Sequence, residues 1–140
     1  MNRLAGRCHC GKLEVEFDTE MSVDELPLRA DQCSFCRKHG ARTTSDPNGV
    51  VRILVRRSKP LRYRFGLETA DFLVCEVCGI YMAAVISIGN SSYATLNINV
   101  LDSAPEFTQD ALPVSYESEN ASQRIERRAK NWTPAVIEEL

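Results

Sequence analysis

The chain has 140 residues, 44% of them hydrophobic and 26% charged, with a formal net charge of −2. This fits one domain, residues 1–140, long enough to bury a core without staples. The charge balance gives no global pull toward nucleic acid or an anionic membrane, and no apolar run is long enough to span a bilayer. The segment Met1–Arg7 has no apolar signal-peptide core, so the expected location is the cytoplasm, where thiols stay reduced.

In chain order, Gly6 to Asp18 reads as strand, turn, strand. Leu13, Val15 and Phe17 alternate with Lys12, Glu14, Glu16 and Asp18, the period of a half-buried strand. An extended Cys8-x-Cys10 would point both thiols to one face, with His9 on the other, and Gly11 permits the turn that follows. Residues 20–31 form a weakly marked connection, and a loop is expected after Cys33 and Cys36. Asp46-Pro47-Asn48-Gly49 is a turn, followed by a strand over 50–55. Leu61, Tyr63 and Phe65 alternate with Arg62 and Arg64, which reads as a strand with aromatics toward the core and arginines in water. Tyr81 to Ile88 suits a buried strand. Tyr93 to Val100 alternates, with Gly89–Ser92 as the hairpin turn between the two. Val114–Tyr116 is a short last strand. Asn120 with Gln123 marks the start of a helix over about 120–131. Ala121, Ile125 and Ala129 are its apolar stripe, continued by Trp132, and Arg124, Arg127, Arg128 and Lys130 its solvated side. Thr133-Pro134 reads as a second helix start. The expected fold is mainly β, about seven short strands with a small C-terminal helix.

All six cysteines fall in local pairs: Cys8 and Cys10, Cys33 and Cys36, Cys75 and Cys78. In a reducing compartment such pairs suggest zinc, which takes four tetrahedral ligands. Cys75-x-x-Cys78-Gly79 has the spacing of a zinc knuckle. Two pairs complete one closed site and leave two thiolates over, and spacing does not say which pair is left. Metal-free buried thiols and a redox-active Cys33-x-x-Cys36 are the rival readings. Arg37, Lys38 and His39 follow the middle pair. They are candidates for substrate carboxylate contacts or proton transfer, against the plainer reading of a solvated cationic turn. The run of basic residues from Arg52 to Arg64 reads first as a wet strand face, with an anion site or a nucleic-acid stripe as alternatives.

With these pairs in place the sequence resembles the glutathione-dependent formaldehyde-activating enzyme family, which includes centromere protein V. The resemblance is carried by Gly6-Arg7-Cys8-His9-Cys10-Gly11, by Cys33-Ser34-Phe35-Cys36-Arg37-Lys38, by Phe72-Leu73-Val74-Cys75-Glu76-Val77-Cys78-Gly79 and by Asn99-Val100-Leu101-Asp102. It covers about residues 6–102. It implies a zinc-binding fold of the β-tent type. Structural zinc would be held by Cys8, Cys10, Cys75 and Cys78, and a second, catalytic zinc by Cys33 and Cys36. It also implies a carbon–sulfur lyase activity that joins glutathione to formaldehyde as S-(hydroxymethyl)glutathione. The family's catalytic motif is Cys-x-Cys-x-x-Cys, and Asp31 stands at its first cysteine. Aspartate is an acceptable zinc ligand but a harder donor, so weaker retention of the second zinc is expected. The alternative is a non-catalytic zinc-stabilised module, binding protein or nucleic acid, that has lost the second site.

Overall fold

The alternation over residues 13–19 does what a period of two requires. In the computed structural model, which describes residues 1–140, Leu13, Val15 and Phe17 are buried, while Glu14, Glu16 and Asp18 lie half-buried on the other face. This strand, β2 (Leu13–Thr19), pairs antiparallel with β1 (Asn2–Arg7) on one edge and β5 (Val50–Val55) on the other. Between them in sequence come β3 (Arg29–Asp31), helix α1 (Ser34–His39) and β4 (Thr43–Thr44). After β5 come β6 (Leu61–Tyr63), β7 (Asp71–Val74), β8 (Tyr81–Ile88), β9 (Ser91–Asn97), β10 (Leu112–Val114), α2 (Ala121–Asn131) and β11 (Thr133–Glu139). The fold is mainly β with a small C-terminal helix, as expected. The Asn120–Gln123 capping box that starts α2 is formed in both directions.

Strands β6, β7, β8 and β9 form an antiparallel meander. The second edge of β9 is shared: Leu96 and Asn97 pair with β4, while Tyr93 and Ala94 pair with β11. β4 leads on to β3, which takes β10 as a parallel partner with Val114 opposite Asp31. β11 then runs parallel to β5, with Ala135 opposite Val51 and Ile137 opposite Ile53. The last strand thus joins the meander to β1, β2 and β5.

This corrects the reading of Thr133-Pro134 as a helix start. Two open edges take the segment in turn: Thr133 and Pro134 pair with β9, and the Ala-Val-Ile run that follows pairs with β5, which a strand satisfies and a helix turn does not. Pro134 is tolerated because it stands near the strand's beginning. Buried polar groups fix the entry. The Thr19 hydroxyl donates to Asp46 Oδ2 at 2.6 Å, and Asp46 N–H donates to Thr133 Oγ1 at 2.8 Å. Ser45 Oγ donates to the Asn131 carbonyl at 2.8 Å.

Three further expectations are corrected. The segment after Cys33 is a helix, not a loop: Cys33 caps α1, and Gly40 closes it in the left-handed conformation at φ 57°. Strand β9 stops at Asn97, whose side chain accepts from Asn99 N–H and turns Ile98–Val100 into a 3-10 helix. Tyr63 and Phe65 do not enter the main core. Tyr63 is exposed, Phe65 half-buried, and both stack on Phe35 of α1, with centroids 5.8 and 5.6 Å from its ring. The buried residues form two clusters. The larger includes Cys8, Leu13, Phe17, Ile53 and Cys75, and the smaller Cys36, Phe72, Tyr81 and Trp132. Each cluster backs one group of cysteines.

Candidate metal centres and the cavity beside them

The first group is Cys8, Cys10, Cys75 and Cys78, whose Sγ atoms all lie within 4.8 Å of one another. Cys8 and Cys10 sit in the turn between β1 and β2 rather than on an extended strand. Cys8 N–H donates to the Leu13 carbonyl at 2.9 Å, and Gly11 N–H returns to the Cys8 carbonyl at 3.2 Å. Gly11 takes φ 85°, a left-handed conformation that glycine adopts without strain. The turn, not strand alternation, brings the two thiols together. His9 is exposed in the same turn and is not among the donors.

Cys75 and Cys78 form the knuckle that the spacing implied. Cys75 N–H donates to the Ile80 carbonyl at 2.9 Å, Gly79 N–H donates to the Cys75 carbonyl at 2.8 Å, and Gly79 takes φ 79°. Sulfur separations are 3.6 Å for Cys8–Cys10 and 3.5 Å for Cys10–Cys75. Four thiolates on one tetrahedral ion at about 2.3 Å would stand about 3.8 Å apart, so this cage has the right size. Leu13 N–H donates to Cys8 Sγ at 3.4 Å and Cys78 N–H to Cys75 Sγ at 3.5 Å, contacts that favour thiolate. Burial pushes Cys75 up to about 11. Burial acts on Cys78 too, but N–H groups of Cys10 and Ile80 and the neighbouring thiols outweigh it and hold it near 6.

The second group is Asp31, Cys33 and Cys36, again with all donor atoms within 4.8 Å of one another. Asp31 is the last residue of β3, and Gln32 N–H donates to the Val114 carbonyl of β10 at 2.8 Å. Cys33 N–H then donates to Asp31 Oδ1 at 2.9 Å, and Cys36 N–H donates to Cys33 Sγ at 3.4 Å. The Cys36 thiol, followed by its N–H, holds Cys33 down to about 7 against burial and Asp31. Cys36 is displaced upward by Cys33 first and by burial second. A group of two thiols and one carboxylate supplies three donors, one short of a closed tetrahedral set.

Beside this group lies a cavity of about 150 Å³, whose wall includes Asp31, Cys33, Phe65, Thr69, Tyr116 and Arg128. Its cationic side comes from α2, which corrects the assignment of Arg124, Arg127 and Arg128 to solvent. Arg128 is 9% exposed, while the Arg124 and Arg127 side chains are 18% and 19% exposed and pair with Glu119 at 3.5 and 2.8 Å. The Arg127 guanidinium stacks on Tyr116, 3.4 Å from its centroid. Arg128 Nη1 donates to Thr69 Oγ1 at 2.9 Å, and its Nε is buried with no partner. Burial pushes Arg128 down to about 10, so it remains charged at neutral pH.

The structure brings Asp31, Cys33 and Cys36 together but not the cations that follow them in sequence. Arg37 and Lys38 are exposed on α1 and do not line the cavity, and Arg37 Nε donates to the Gln32 carbonyl at 3.1 Å. His39 is exposed and packs at a tilt against Phe35, with centroids 4.5 Å apart. The arginine side of α2 carried a sequence signal. Arg124, Arg127 and Arg128 recur at i, i+3, i+4 on one face, with Arg124 next to Ile125 and Arg128 next to Ala129 of the weak Ala/Ile stripe.

No family model and no curated protein matches the chain. A Rhodobacter sphaeroides protein of known crystal structure, from a structural-genomics programme, is similar in fold. It is 26% identical with a TM-score of 0.60, and the match covers 79% of this chain and 99% of that one. No helix of this chain is long and apolar enough to cross a membrane.

Proposed function

We propose that the chain is a zinc-dependent enzyme of carbon–sulfur chemistry. It would add a thiol, glutathione or one like it, to formaldehyde or a related small aldehyde. The observation that carries this reading is the contrast between the two donor groups. Four cysteines make one closed cage, whereas Asp31, Cys33 and Cys36 supply three donors beside a cavity. The order of the cysteine pairs, which resembles that of the glutathione-dependent formaldehyde-activating enzymes, supports the same reading.

Cys8, Cys10, Cys75 and Cys78 would hold a structural zinc, and Asp31, Cys33 and Cys36 a second one with a position left for substrate. When bound, that zinc would supply the Lewis acidity that keeps an incoming thiol deprotonated at neutral pH. Cys33 stands on the cavity wall and Cys36 behind it in the smaller core, so the sulfur donors are fixed by packing. Phe65 and Phe72 give the cavity an apolar side that limits water around a small aldehyde. In the reaction a C–S bond forms, the carbonyl π pair moves to oxygen, and the thiol proton ends on that oxygen through solvent. Nothing is oxidised or reduced. All six cysteines are free thiols, and this chemistry belongs to a reducing compartment such as the cytoplasm.

The test is exchange of ¹³C-formaldehyde with glutathione, followed by NMR with and without the zinc-loaded protein. Acceleration of adduct formation that is lost in Cys33→Ser supports the reading. An exchange rate unchanged by the wild-type protein overturns it. A second reading, thiol–disulfide exchange, is favoured by the Cys36 N–H donating to Cys33 Sγ. It requires a reversible Cys33–Cys36 disulfide, detected by thiol counting at controlled potential.

A further inference from the structure

Arg128 presents a buried charge without a carboxylate. It is 9% exposed, and its Nε has no partner. Its one side-chain hydrogen bond, at 2.9 Å, goes to the neutral hydroxyl of Thr69. Glu119, the acid of that neighbourhood, is already held by Arg124 and Arg127. Two acids also line the cavity. Asp31 accepts the Cys33 N–H and belongs to the donor group, and Glu117 is exposed. A buried guanidinium left unpaired is costly. An anion from solution can complete it, because its planar fork matches a carboxylate.

The same cavity carries Cys33 on its wall. Its volume of about 150 Å³ holds about five waters at liquid density. That is room for a carboxylate and a short stem, and the pocket is open to solvent for the rest of a thiol. We propose that this cavity is the anion subsite of the thiol substrate: Arg128 takes a carboxylate of an acidic thiol whose sulfur is presented toward Cys33. Within the thiol chemistry proposed above, Arg128 is then the residue that favours a carboxylate-bearing thiol over a neutral one. The inference rests on the thiol chemistry proposed above, and it replaces Arg37 and Lys38 with Arg128 as the carboxylate contact.

Trp132 is the chain's one tryptophan, and Arg128 lies over its ring, so its emission reports on anions at Arg128. The experiment titrates the full zinc-loaded chain with 3-mercaptopropionate, 2-mercaptoethanol and propionate. The acidic thiol is expected to bind about tenfold or more tightly than the neutral one. Propionate should compete with the acidic thiol in the wild-type protein, a result that needs no variant. The preference should vanish in Arg128→Gln and return in part in Arg128→Lys. Equal binding of acidic and neutral thiols overturns the subsite, and so does a preference unchanged in Arg128→Gln. If both thiols bind equally and lose affinity in Cys33→Ser, the anion subsite fails while the thiol chemistry stands. If propionate binds in an Arg128-dependent way and neither thiol binds more tightly than it does, the anion site stands and the thiol chemistry fails.

Discussion

The guanidinium carbon of Arg128 lies 4.8 Å from the centre of the Trp132 ring. Trp132 ends α2 and leads directly into β11, so this contact ties the cationic wall of the cavity to the strand that joins the sheet. The cavity is built where α2, the segment after β10, the β6–β7 connection and the Cys33 cap of α1 meet.

The two donor groups are expected to differ in what they hold together. Cys75 is 2% exposed in the larger core, whereas Cys33 is half-buried at a cavity wall. Cys75→Ser should cost more than about 4 kcal/mol, because losing a structural metal unfolds small domains. Cys33→Ser should cost less than about 1 kcal/mol. Thermal melts of the two variants check this, and equal losses would mean that the groups do not have separate roles.

Asp31→Cys is expected to raise the zinc affinity of the second group, since thiolate is a softer donor than carboxylate. The change replaces the acceptor of the Cys33 N–H bond, so some loss of stability should accompany it. A competition titration with a chelator measures the affinity. No change there would mean that Asp31 does not limit metal binding.

Glu119 pairs with Arg127 at 2.8 Å and Arg124 at 3.5 Å. The Arg127 hydrogen bond is the main reason that its carboxyl titrates below the usual range. A depressed folded value means the contribution is present above the unfolded value of about 4.3 and is lost as pH falls through the lower folded one. Glu119→Gln should cost about 1–3 kcal/mol at neutral pH in urea unfolding. The difference from wild type should shrink as pH falls below about 4. A difference as large at pH 3 as at pH 7 would show that the loss is one of packing.

Gly6 passes directly under the 3-10 segment after β9 and bridges to Leu101. A Cβ there would fall on the Val100 carbonyl oxygen and within 2.6 Å of Leu101 Cα, both backbone atoms that cannot swing aside. Gly6→Ala should cost about 2–4 kcal/mol and loosen the Cys8–Cys10 turn two residues on. Its melting temperature and zinc retention would fall together. A melt unchanged from wild type would mean that β1 shifts freely at this point.

Strands with a strong period were legible in the sequence. Leu13, Val15 and Phe17 alternate with acids, and Tyr81 to Ile86 is an unbroken apolar run, so burial alone settled β2 and β8. That two cysteine pairs can close one cage is legible as chemistry, but spacing leaves open which two, and only the family resemblance implies Cys8, Cys10, Cys75 and Cys78. The Cys8–Cys10 turn reads as strand because Cys-x-Cys satisfies alternation equally well. β11 was not legible. Pro134 after Thr133 imitates a helix start, and only the open edges of β5 and β9 make the segment a strand. Helical patterning assigns the arginines of α2 to solvent by default. Their burial depends on Glu119, Tyr116 and Thr69, which lie outside the helix.

The central claim is that this fold holds a second, three-donor zinc site beside the closed one. Elemental analysis of the chain purified without chelator tests it most directly. Two zinc ions per chain are predicted, falling to one in Cys33→Ser while the melting temperature is retained. One zinc per chain in the wild-type protein, unchanged in Cys33→Ser, would contradict it.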